Sequence, residues 1–368
     1  MPYDNTKPPF RADQVGSLLR PVELIRARAA AKGGELDSAT LQSVEDTCIR
    51  ATVARQEAAG LQSITDGEFR RDWWHIDFLR GFDGVEAVVD PNTASFHGAD
   101  EVVPVLTVTG KVKRSRAVMV EPFRFLQSVT TRTAKLAIPS PSMLHMRGGR
   151  PAISRAAYPD LDEFWADTAQ TYREEIRDLG AAGCTYLQLD DVSFAYLCDD
   201  KIRAGYRARG DDPDRAPQTY VNTINAALRD RPAGMAVTIH TCRGNFKSTW
   251  MASGGYEPVA ETVFGQLEVD GFFLEYDSER AGGFEPLRFV PRGRKIVLGL
   301  VTSKSAAMET KDALKRRIEE ASRFVALEDL CLSPQCGFSS THHGNALTEA
   351  DQWRKLEVVV EVAREIWG

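Results

Sequence analysis

The sequence predicts an α/β protein folded as a single (β/α)8 TIM barrel over residues 1–368, with an inserted subdomain at about 70–132 between the second and third strands. Three observations predict it. Eight short apolar runs each end in a polar or reactive residue. Between them lie longer stretches with apolar residues at helical spacing, so strands alternate with helices and run parallel. The polar ends all fall on the carboxyl side of their runs, which is where a closed barrel gathers its functional groups.

The runs follow in order. DQVGSLLRP, weak as a strand, brings Gly16 and Ser17 to its tip; GLQSITDGEF ends at Asp66, Gly67 and Glu68; AKLAIPSPSML ends at Pro139 and Ser140. CTYLQLDDVSF ends at Asp190 and Asp191, AVTIHTCRGN at His240 and Cys242, and GFFLEYDSE at Glu275 and Asp277. KIVLGLVTSK ends at Thr302 to Lys304, and DLCLSPQCGF at Ser333 to Cys336. Helical spacing covers Leu41 to Ala59, Leu161 to Ala182, Tyr220 to Arg229, Val259 to Leu267, Ala306 to Phe324 and Glu349 to Ile366. The interval from Arg70 to Arg132 breaks the rhythm: VVPVLTVTGKVKRSR alternates apolar and polar like a hairpin strand, which predicts a small antiparallel sheet, with a lid, a decoration or an oligomer contact as its use.

Composition narrows the function. With 46 Lys and Arg against 52 Asp and Glu, the charge of -6 excludes a basic nucleic-acid binder. Hydrophobic residues at 43% and charged residues at 27% give enough apolar surface for a large core, which excludes disordered and fibrous classes. The chain shows no run of about 20 apolar residues and no signal-peptide core at its start, so the expectation is a cytoplasmic protein that engages no membrane. Six scattered cysteines make no disulfide framework and leave thiolates available to a metal.

IHTCRGN is the sharpest local signal. His240 and Cys242 are two apart on a strand, so imidazole and thiolate point the same way and can reach one ion. Glu275 and Cys336, from two other strand tips, would complete a His, Cys, Glu, Cys set, and such a set suits Zn2+ better than Mg2+ or Ca2+. The competing readings are a buried His beside a core Cys, a Glu275 paired with an arginine, and Cys336 as a turn cysteine. Cys184 and Cys331 read as core thiols, and Cys48 and Cys198 have no metal-like neighbour. His342 and His343 rank second as ligands, because adjacent residues on an extended chain face opposite ways. His75, His97 and His145 read as surface loop residues. Asp66, Glu68, Asp190, Asp191 and Asp277, with Ser17, make a polar cup fit for an ammonium group; Asp191 and Asp277 read as structural. An anionic substrate would need Arg20, Arg70, Arg71 or Lys304 to offset the acids.

VGSLLRP, TDGEFRRDWW, LQLDD, IHTCRGN, FFLEYD and LSPQCGF, in this order from residue 15 to 338, together resemble the catalytic domain of cobalamin-independent methionine synthase. The chain has room for one barrel, so it is similar to the short branch of that family, which includes an epoxyalkane:coenzyme M transferase. The resemblance implies zinc ligands at His240, Cys242, Glu275 and Cys336, and homocysteine-holding residues at Gly16, Ser17, Glu68 and Asp190. One departure stands out: the family carries an Asp-Ile-His-Ser stretch at the seventh strand tip, whose His is the proposed acid, where this chain has Thr302, Ser303, Lys304 and Ser305.

The expected reaction is zinc-dependent methyl transfer from a 5-methyltetrahydrofolate-type donor to a homocysteine-like thiol, giving methionine. Lys304 and Asp190 are the expected catalytic groups, and Trp73 and Trp74 the expected stacking surfaces for a flat donor. The alternative within the fold is alkyl transfer between another thiol, such as coenzyme M, and an epoxide or methylated aromatic donor. Outside it stand a zinc hydrolase, disfavoured by two thiolate ligands, and a zinc-storage protein, disfavoured by the many polar strand tips. The oligomeric state is open, a homo-oligomer included.

Overall fold

The computed structural model describes residues 7–89 and 103–368. Nine strands form among the described residues: β1 Ser63–Ile64, β2 Asp83–Val88, β3 Val105–Lys113, β4 Thr133–Pro139, β5 Tyr186–Asp191, β6 Ala236–Thr241, β7 Gly271–Glu275, β8 Lys295–Val301 and β9 Leu330–Pro334. Seven make one parallel sheet in the order β1-β4-β5-β6-β7-β8-β9. The helices are α1 Val22–Lys32, α2 Ser38–Ala59, α3 Ile76–Leu79, α4 Val120–Val129, α5 Asp162–Ala181, α6 Ser193–Tyr196, α7 Asp200–Ala208, α8 Ala216–Leu228, α9 Glu257–Gln266, α10 Lys311–Ala321 and α11 Glu349–Trp367. No helix among the described residues is long and apolar enough to cross a membrane.

The curled sheet closes through the first predicted run, which is irregular where a strand is expected. Ala12 pairs with Leu332 of β9 as a single parallel bridge. On its other edge Gln14 Nε2 donates to Ser63 O (3.2 Å), Thr65 Oγ1 to Gly16 O (2.6 Å) and Leu18 N to Gly67 O (3.1 Å). A longer ladder fails because Asp13 captures the backbone N–H groups of Phe10 and Gln14 with its own carboxylate, and Gly16 adopts a φ of 144°. The architecture is thus a TIM-barrel type with seven regular staves and one held largely by side chains.

Alternation along the strands sends every second residue inward. Val15, Phe273, Val297 and Cys331 form an apolar plug inside the barrel. Beside it the fully buried Lys135 bonds Asp13 Oδ1 (3.1 Å) and lies 4.0 Å from the centre of the Phe273 ring, while Tyr186 Oη donates to Asp13 Oδ2 (2.8 Å). A buried charge pair offsets its desolvation cost only with such added partners.

Helix ends follow their local signals. Asp37 caps α2 by accepting from Thr40 N (2.7 Å), and Thr348 and Asp351 cap α11 reciprocally, each cap contributing about 1 kcal/mol. α10 begins at Lys311, five residues after the Ala306 expected from periodicity, because Thr310 supplies its N-cap. In the interval after β1, β2 and β3 pair antiparallel, with β3 inside the alternating segment VVPVLTVTGKVKRSR.

Candidate functional site

His240, Cys242 and Cys336 meet at the carboxyl end of the barrel. Their ligand atoms all lie within 4.8 Å of one another and all three residues are buried. The Sγ atoms of Cys242 and Cys336 are 3.8 Å apart. Two sulfurs each about 2.3 Å from a tetrahedral zinc ion would be separated by about 3.8 Å. One nitrogen and two soft sulfurs in a closed pocket therefore fit Zn2+.

Electrostatics prepare the same group for a cation. Burial opposes charge on His240, but hydrogen bonding to Asp190 and Cys336 outweighs it and raises the imidazole to about 10. Hydrogen bonding from Cys242, helped by the His240 and Lys304 charges, holds the Cys336 thiol well below its ordinary range against burial. Cys242, the other partner in that contact and buried, is pushed well up.

Glu275 stands at the neighbouring strand tip, outside the group of three. Its Oε2 accepts from Arg243 N (2.8 Å) and its Oε1 from Arg280 Nη2 (2.9 Å). The arginine pairing that competed with a ligand role is thus present in the structure. Arg243 directly follows Cys242, so the same bond that occupies Glu275 also ties it to the β6 tip.

Above the group opens a cavity whose lining includes Ser17, Glu68, Trp73, Trp74, Asp190, His240, Cys242 and Cys336. Glu68 holds a φ of 60°, a left-handed conformation that costs a non-glycine residue about 1–3 kcal/mol and is concentrated at functional sites. Burial pushes its carboxyl up to about 8, with Arg71 opposing and Asp190 and Asp66 adding to the rise. Asp190 Oδ1 accepts from Gln188 Nε2 (2.7 Å) and faces His240 Nδ1 (3.2 Å). Ser17 is pinned from the last loop: Phe338 N donates to its carbonyl (2.8 Å), and a Cβ on Gly337 would fall on its hydroxyl. Gly16 does not line the cavity but bears the positive φ that turns Ser17 inward.

Trp73 stacks on Phe246 with ring centres 5.9 Å apart and planes 8° from parallel, and Trp74 leans on His75 at 4.6 Å. Lys304 stands behind the wall rather than in it, with Nζ donating to Gly244 O (2.8 Å).

Several expectations need correcting. His75 and His145 are buried at 3% and 5% exposure, where a surface position was expected. His145 is held by Tyr220 Oη (2.9 Å) and His75 lines the cavity, so the polar ring in each case serves the interior. His97 lies outside the described residues. His342 and His343 stand outside the metal group and present their edges to Trp73 at 6.0 and 5.7 Å. Asp191, expected to be structural, accepts from the hydroxyls of Ser140, Ser142 and Ser193 and also lines the cavity. Arg20 spends its guanidinium group on loop carbonyls, Arg71 on Ala137 O of β4 (2.6 Å) and the Glu68 carboxylate (3.9 Å), and Arg70 on Glu45 and Asp46; none of the three lines the cavity. Sequence reasoning missed Arg147, Tyr196, Asn245 and Phe246, all in the lining. Asn245 closes the IHTCRGN segment and Phe246 follows it, and Arg147 stands before two glycines in the loop after β4; those positions were the available signal.

Comparison with known proteins bears on this geometry. The family model described as "Cobalamin-independent synthase, Catalytic domain" matches residues 10–365. YxjH of Bacillus subtilis (strain 168) is 48% identical over 363 residues, 98% of this chain and 96% of its own length. A methionine synthase of Pyrococcus abyssi is 24% identical, over 88% of this chain and 84% of its own. Among solved structures, a candidate vitamin-B12-independent methionine synthase from Listeria monocytogenes matches with a TM-score of 0.80 and 43% identity, covering 99% of this chain and 100% of that one. A B12-independent methionine synthase from Shewanella sp. W3-18-1, in complex with selenomethionine, shares the fold with a TM-score of 0.72 at 21% identity, over 97% of each chain.

Proposed function

The chain belongs to the cobalamin-independent methionine synthase family, and within it we propose that this protein moves a methyl group from a 5-methyltetrahydrofolate-type donor to the sulfur of a homocysteine-like thiol, forming methionine. The observation that carries the reading is the buried His240, Cys242 and Cys336 triad opening onto a cavity whose acids suit an amino-acid ammonium.

His240, Cys242 and Cys336, with Glu275 at the next strand tip, would hold Zn2+, which when bound keeps a substrate thiol ionised at neutral pH. A free thiol of pKa near ~8.5 is only a few per cent thiolate at pH 7, so full ionisation is worth about 2 kcal/mol. Glu275 would have to trade Arg280 for the ion.

The chain's own residues do the rest. Gly16 and Ser17 would place the substrate carboxylate, and Glu68 and Asp190 its ammonium. Trp73 and Trp74 offer flat surfaces for the donor ring. The new sulfur–carbon bond forms as the donor's nitrogen–carbon bond breaks, and the departing nitrogen takes up a proton. Glu68 retains a proton near neutral pH, and the arriving ammonium would displace it into the cavity. Asp190 orients the His240 ring, and Lys304 favours the thiolates by its charge. Holding sulfur and methyl carbon in line supplies much of the remaining rate.

A second reading, alkyl transfer to a coenzyme M-like thiol from an epoxide or methylated aromatic donor, is favoured by one observation: Lys304 occupies the seventh strand tip where a histidine acid was expected. Metal analysis of the purified protein should give about one zinc per chain, and Cys336→Ser should lose both zinc and thiol alkylation. Full zinc retention in both Cys242→Ser and Cys336→Ser would end the proposal, and a screen of homocysteine against coenzyme M separates the two acceptors.

A further inference from the structure

Resting on the reading of this site as a thiol alkyltransferase, we propose that Arg147 binds the second substrate, and that the alkyl donor is a flat ring compound carrying a carboxylate. Arg147 projects from the loop after β4 into the cavity that also holds His240, Cys242 and Cys336. It is the permanent cation among the described lining residues, since neither a lysine nor another arginine lines the cavity.

The loop that carries it is clamped by its backbone. Arg209 donates to the carbonyls of Arg147 (2.6 Å) and Met146 (2.9 Å), and is itself fixed by Asp211 (2.6 Å). Gly149 N closes the turn on His145 O (2.6 Å). Gly149 has a φ of 60°, and any side chain there would run into Asp211 and Arg209, so the clamp requires glycine at this point. A loop whose main chain is held this firmly fixes the origin of the Arg147 side chain, which is what precise recognition needs.

The surroundings define the ligand. The Tyr196 hydroxyl bonds the guanidinium and offsets part of the burial cost that pulls Arg147 below its ordinary range. Burial and the Arg147 charge hold His75 neutral, so no second positive charge competes there. Trp74 packs against His75, and Trp73 lines the same cavity, which gives flat walls beside one cation. A guanidinium recognises carboxylates through paired N–H groups, and aromatic walls take a ring. Asp190 would repel that same anion and favours the ammonium of the thiol substrate instead.

The test is calorimetric binding to the zinc-loaded protein of three probes: 4-methoxybenzoate, its neutral amide 4-methoxybenzamide, and 4-aminobenzoylglutamate, the carboxylate-bearing tail of a pteroyl donor. At least one of the two anions should bind tenfold or more tightly than the amide. Arg147→Met should abolish that preference and Arg147→Lys retain part of it, with zinc content and homocysteine affinity unchanged in both. Preference confined to 4-aminobenzoylglutamate assigns a pteroyl-type donor; preference for 4-methoxybenzoate assigns a small aromatic acid. No preference in the wild type, or one that survives Arg147→Met, overturns the proposal. Loss of zinc or of homocysteine binding in the wild type would instead strike the thiol-transfer reading, and it is read in separate titrations.

Discussion

Asp190 and His240 are register partners on β5 and β6, and Asp190 Oδ1 lies 3.2 Å from His240 Nδ1. One carboxylate therefore orients the imidazole of the triad while facing the cavity. Partners of this kind fix the tautomer of a ligating histidine, and their loss costs about 10–100-fold in metal affinity. Asp190→Asn should weaken zinc binding by that factor, measured by competition with a chelator, while leaving the fold intact by circular dichroism. Unchanged zinc affinity would separate Asp190 from the metal group.

Glu68 titrates near 8 in the folded chain against an ordinary value of 4.5. Between those values the folded protein binds a proton that the unfolded chain has released, so stability falls as pH rises from about 5 to 8. Glu68→Gln removes that dependence. Its melting temperature should exceed the wild type's by about 2–4 °C or more at pH 8, on the scale of a few degrees per kcal/mol for domains of this order of size, and match it near pH 4.5. A wild-type melting temperature equal to the variant's across this range would show that Glu68 ionises normally.

Lys304 stands behind the cavity wall, yet its charge favours thiolate at both Cys242 and Cys336. In the metal-free protein Lys304→Met should move thiolate formation, followed by absorbance near 240 nm, to higher pH. With donor and thiol supplied, turnover should fall without a change in donor KM, as expected for a group that acts through charge. A change confined to donor KM would place Lys304 in the donor site instead.

Gly337 leaves room for the Ser17 hydroxyl, and a Cβ there would fall on that oxygen. Gly337→Ala should cost about 1–3 kcal/mol of stability through overpacking. Gly337→Ala combined with Ser17→Ala should recover much of that loss, because the clashing atom is gone, and should still bind homocysteine poorly. Equal instability in the single and double variants would show that the backbone, not the hydroxyl, meets the new methyl group.

Strand tips were the legible part of this molecule. His240, Cys242, Glu68 and Asp190 lie where apolar runs meet polar residues, and alternation along β5 and β6 fixes which way Asp190 and His240 face. The first stave was less legible, because Asp13 uses its side chain to take backbone donors, a competition that hydropathy does not register. Glu275 was placed at the right strand tip, but its partner Arg280 lies five residues on, after a turn whose course periodicity does not describe. Arg147 and His75 escaped for a related reason: a loop residue reads as exposed until its burial is known, and burial here depends on packing between distant segments.

The bridge between Ala12 and Leu332 joins the two ends of the chain across 320 positions of sequence. A ribosome that has just released the first stave must still synthesise almost the whole protein before its β9 neighbour exists, so Ser17 waits for Gly337 and Phe338 to emerge. Competence for chemistry is thus acquired last, and a nascent chain truncated before β9 would hold His240 and Cys242 without Cys336.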